Sequence, residues 1–98
     1  MNGGRVNAPR VSVVVPTWRL GGLDVVTDAL TRQSFQDFEL VVADMLHRWR
    51  APVIADHLAR LPFPVKHVPV DNDIFPVASP FRVRNSGIRH ATGERIVF

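Results

Sequence analysis

"VSVVVPTWR", residues 11–19, decides the fold. Val11–Val15 is a near-continuous β-branched run, closed by Pro16. It does not alternate with polar residues, so neither face is left to water. Such a run suits a strand buried on both sides, as in a parallel sheet covered by helices. "FELVVAD" at 38–44 repeats the signal as a second buried strand. Between the two, "RLGG" at 19–22 reads as a loop. Leu23–Thr31 reads as a helix with Leu23, Val26, Ala29 and Leu30 on one face, and Gln33–Asp37 reads as a turn.

Downstream, "MLHRWR" at 45–50 is a connection without assigned form. Pro52 suits the first turn of a helix that carries Val53, Ile54, His57, Leu58 and Leu61 at helical spacing and ends at Pro62 and Pro64. "VKHVPV" at 65–70 alternates as a third strand, and Pro69 assigns it to an edge, because proline cannot donate to a central ladder. After a polar, proline-marked loop at Asp71–Ala78, Ser79 caps a helix that starts at Pro80 and turns Val83, Gly87, Ile88 and Ala91 inward. Gly93 is the expected left-handed stop, and Glu94–Phe98 opens a fourth strand. Strands alternating with helices predict an α/β fold: an open parallel sheet, Rossmann-like, with right-handed crossovers. Residues 1–10 are expected to form a flexible tail. Residues 11–98 are expected to form one unit, incomplete at its C-terminus because the fourth strand is still running at Phe98.

Composition narrows the function. Hydrophobic residues make up 46% of the 98, too many for a disordered chain. There is no cysteine, which excludes disulfides and thiolate metal sites. Lys66 is the sole lysine, and the arginines are scattered, so no nucleic-acid footprint is present. No apolar run reaches the length of a membrane span, and the start lacks the apolar segment of a signal peptide. A cytoplasmic location is expected, or a membrane-peripheral one for a longer parent protein.

In open α/β sheets ligands sit beyond the carboxyl ends of the strands. Thr17, Trp18, Asp44 and Asp71–Asp73 stand at those ends. Thr17 is either a ligand-facing hydroxyl or a turn residue. Trp18 either stacks on a flat base or covers the core rim. Asp44 either accepts from a base or ribose, or serves as a cap or ion-pair partner. Asp71, Asn72 and Asp73 read mainly as turn formers. Arg82 and Arg84, early in the last helix, either meet a phosphate or lie in solvent. Asn85 is a poor helix-interior residue, which points to a hydrogen-bonding role. The four histidines show no metal spacing, and none is assigned to catalysis. Gly21-Gly22 lacks the spacing of a dinucleotide fingerprint.

Three ordered stretches carry a family likeness. "VSVVVPTWR" resembles the first strand of family-2 glycosyltransferases, which have the GT-A fold. "LTRQSFQDFELVVAD" resembles the next signature, a helix end and turn leading through Asp-Phe-Glu into a strand ending in Asp. "RVRNSGIRHATGERIVF" is similar to the third, Ala-Arg-Asn-x-Gly followed by Ala-x-Gly-Glu and a buried strand. The resemblance spans the chain from Val11. It implies an inverting enzyme that moves a sugar from a nucleotide-diphosphate donor to an acceptor of unassigned kind. By position, Thr17 would lie against base or ribose, Asp44 would contact the base, and Arg84 and Asn85 would shape the nucleotide pocket. In the family, the strand matching Arg95–Phe98 runs into an Asp-x-Asp motif that holds Mg²⁺ or Mn²⁺, with the catalytic base and acceptor site later still. The resemblance therefore implies a nucleotide-binding front part that contains no catalytic or metal-ligating residue, is inactive alone and is open to self-association.

The chain departs from the family at Arg19, where Asn is usual, at Met45-Leu46, where Asp-Gly is usual, and at Val83, where Ala is common. A non-catalytic α/β module that binds a nucleotide or a protein is the alternative. A nucleotidyltransferase ranks third, since "PTWRLGG" has its glycines but not its spacing.

Overall fold

A computed structural model describes residues 9–17, 21–70 and 80–98, except for the side chains of 80–82. Most of the expected tail, Trp18, and the loop through Ser79 lie outside the described residues. The elements are β1 (Val11–Thr17), α1 (Leu23–Arg32), β2 (Phe38–Asp44), α2 (His47–Ala59), β3 (Val65–Pro69), α3 (Pro80–His90) and β4 (Arg95–Val97). They build the open, all-parallel α/β sheet that the sequence predicts, in the order β3-β2-β1-β4. β3 takes the edge that Pro69 requires, and β4 lies beside β1. β1 runs past Pro16 to Thr17, and β4 pairs with its first three residues, Val11 to Val13.

The two faces bury different sets. Val11, Val13 and Val15 of β1 join Phe38, Leu40 and Val42 of β2 on one face, packed against Leu23 and Leu30 of α1. Every residue of β2 is buried. On the other face Val14, Val41 and Val68 form one cluster, and Ala43 and Val70 form another with Val83 of α3. Gly87 lets α3 come close: a Cβ there would run into Val14 Cγ1 and stand 3.3 Å from Ala43 Cβ.

Four local expectations are corrected. Gly93 is not left-handed, since the only glycines with positive φ among the described residues are Gly21 and Gly22. Gly93 is needed for close approach instead, because a Cβ would lie 2.6 Å from the backbone nitrogen of Ser12. In α1 the buried position is Thr27, while Ala29 is exposed. The Thr27 hydroxyl contacts His57 Nε2 at 3.0 Å and so ties α1 to α2. In α2, Val53 points outward at 78% exposure. That helix also starts at His47, which places Pro52 in its interior rather than its first turn.

A buried carboxylate locks β4 into place. Glu39 accepts hydrogen bonds from the Ser12 hydroxyl, from the Thr92 amide at 2.6 Å and from the Thr92 hydroxyl at 3.0 Å, and it pairs with Lys66 Nζ at 3.0 Å. The Gly93 amide donates to Ser12 Oγ at 2.7 Å. These bonds clamp the α3–β4 connection onto β1 and β2. Burial pushes the Glu39 pKa up, but the bonds from Ser12, Thr92 and Lys66 outweigh it and hold the carboxyl below its ordinary value.

Candidate functional site

The strand order fixes where a crevice must open. From β1 to β3 the chain steps in one direction, and α3 then carries it back over the opposite face to β4. The direction reverses between β1 and β4, and in open α/β sheets ligands bind outside the carboxyl ends at such a reversal. Thr17 ends β1 there. A cleft of about 430 Å³ lies at that position, lined by Val15, Pro16 and Thr17 from the strand and by Gly21, Gly22, Leu23 and Val26 around the start of α1. Gly21 and Gly22 have φ of 84° and 83°, a conformation that side-chain-bearing residues seldom adopt.

Asp44 is the register partner of Thr17 on β2, and the two strands end level. Its carboxylate is completely buried. Oδ1 accepts the Leu46 amide at 2.8 Å, while Oδ2 takes His67 Nε2 at 2.8 Å and Arg50 Nε at 3.3 Å. Arg50 is itself only 6% exposed. The Met45 amide donates to the Thr17 carbonyl at 3.0 Å, so the turn after β2 is bonded to the end of β1. The ring of His47, at the start of α2, packs on that of His67 with centroids 4.4 Å apart. Of the two readings left open for Asp44, the geometry displays the cap and ion-pair one.

Arg84 and Asn85 are exposed on α3, across the sheet from α1 and α2. Arg84 Cζ lies 5.3 Å from the centre of the Phe98 ring. The structure thus brings Thr17 and Asp44 together and sets Arg84 and Asn85 on the other bank of the sheet. Trp18, Asp71–Asp73 and the side chain of Arg82 lie outside the described residues. Among the described residues no group of three or more His, Asp or Glu is placed to hold a metal ion. No described helix is long and apolar enough to cross a membrane.

Arg50, His67 and His47 were not singled out from the sequence. Strand parity held the available signal. His67 is the register partner of Val42, two residues before Asp44, and therefore shares its face. No protein-family model matches the chain, and no curated protein or solved structure matches it either.

Proposed function

We propose that this chain is the nucleotide-binding front part of an inverting glycosyltransferase of the family-2 type, which takes its sugar from a nucleotide-diphosphate donor. The observation that carries the reading is the level ending of β1 and β2 at the strand-order reversal, with Thr17 lining a cleft there and Asp44 beside it. The three sequence stretches that resemble the family fall on the elements bordering this edge: β1, the α1–β2 segment, and α3 with β4. In this reading Thr17 meets the nucleoside, and Arg84 and Asn85 approach it from the α3 side. Sugar transfer also needs a base at the acceptor hydroxyl and charge compensation on the departing diphosphate. The family likeness assigns both to residues that follow the strand matching β4.

The test is calorimetric titration of the full-length protein with UDP, GDP, ADP and CDP, with and without Mn²⁺. Binding of at least one nucleotide, weakened about tenfold by Thr17→Val through the loss of one hydrogen bond to a buried partner, is expected. No binding of any nucleotide under either condition would sink the reading. Binding without sugar transfer to any acceptor would instead favour the non-catalytic module.

A further inference from the structure

The completely buried carboxylate of Asp44, held by an almost buried arginine, a histidine and a backbone amide, is costly to desolvate. It sits at the one edge where the topology expects a ligand. An oxygen with no exposed surface cannot meet a base while its present partners remain. Its bonds lead elsewhere. Through Oδ1 it fixes the Leu46 amide, and the adjacent Met45 amide holds the carbonyl of Thr17, which lines the cleft.

Resting on the nucleotide-binding reading above, we infer that Asp44 is a positioning residue rather than a base contact, and that His67 and Arg50 are its partners in that role. His67 reaches it from β3 and Arg50 from α2. The three therefore gather the ends of β2 and β3 and the start of α2 behind the turn that braces Thr17. A network of this kind sets affinity through the geometry of the cleft wall. It does not choose among bases, because Asp44, His67 and Arg50 are not among the residues that line the cleft beside Thr17.

The experiment uses the full-length protein and its His67→Gln, His67→Leu and Asp44→Asn variants, each titrated with UDP, GDP, ADP and CDP. Amide hydrogen exchange at Met45, Leu46 and Val14 is followed alongside. His67→Leu removes a donor to Oδ2 and should weaken every nucleotide that the wild type binds by a common factor of roughly ten, the usual effect of one lost bond to a charged group. It should also speed exchange at Leu46 and Met45 while Val14, in the core, stays protected. His67→Gln keeps a donor and should stay within about threefold of wild type, which a purely bulk packing role would not predict. Asp44→Asn should lower affinity and leave the order of preference among the four nucleotides intact.

A changed order of preference in Asp44→Asn would show direct base contact and overturn the inference. Wild-type affinity and exchange in His67→Leu would overturn it as well. If Asp44→Asn fails to fold, the two His67 variants still decide the matter. Absence of nucleotide binding by the wild type sinks the parent reading and this inference with it, whereas wild-type binding combined with an insensitive network sinks the inference alone.

Discussion

Glu39 shows how one buried charge can serve the fold. Its donors come from β1, from β3 and from the α3–β4 connection, and together they hold its pKa below the ordinary glutamate value despite burial. A carboxyl whose folded pKa is depressed stabilises the protein when ionised. That contribution is complete above the unfolded value of about 4.3 and is lost as the pH falls through the lower folded value. Glu39→Gln should therefore cost about 1–3 kcal/mol at neutral pH and less at an acid pH below the lowered folded value, where the wild-type carboxyl is itself neutral. Urea unfolding at the two pH values measures the difference. An equal loss at both would mean that the charge is irrelevant. The sequence signals burial at Glu39 through the apolar run that follows it, but not its partners, since Thr92 lies 53 positions away and a single chain does not display such a pairing.

At the scale of elements, legibility followed the source of the signal. β2 was readable to the residue because five of its seven positions are apolar and the strand is bracketed by Asp37 before it and Asp44 at its end. α1 was readable as a helix, yet its buried residue was not, because Thr27 is inward through a bond to His57 and not through apolarity. α2 starts earlier than its sequence pattern predicts, at His47. Nothing local in "MLHRWR" announces a helix; the first turn is held by the Asp44–Leu46 bond and the Arg50–Asp44 pair, both made to β2. That anchoring lets the helix begin upstream of Pro52, which then removes one interior hydrogen bond and crowds the preceding turn. Pro52→Ala should therefore stabilise the protein by about 2 kcal/mol. A helix-interior proline costs about 3 kcal/mol, and the alanine variant returns part of that as extra freedom of the unfolded chain. Thermal melting checks this, and a lower melting temperature for the variant would mean that the ring is needed where it stands.

For the molecule as a whole, a sheet with only parallel neighbours cannot be assembled from hairpins, and each pairing waits for a crossover to be in place. The site inherits this dependence. Its cleft was legible because the alternation of strands and helices fixes which strand ends share an edge. Its charged network was not, because it depends on side chains from β2, α2 and β3 that meet only after folding. The Glu39 clamp adds a consequence in time. The bond from Gly93 to Ser12 joins positions 81 apart, closing nearly the whole chain into a loop. Closure of long loops is entropically late, and contacts of large sequence separation slow folding. The clamp should then form after the rate-limiting step, with β1 and β2 already paired. Gly93→Ala, which would drive a methyl into the Ser12 backbone, should leave the refolding rate within about twofold of wild type and accelerate unfolding by tenfold or more, the signature of a contact absent from the transition state. Stopped-flow chevrons of the two proteins would show it, and a slowed refolding limb would place β4 in the nucleus instead. Unfolding would thus begin where folding ends: β4 acts as a latch, and the lifetime of the folded chain is set by how long the Gly93–Ser12 and Thr92–Glu39 bonds keep it shut.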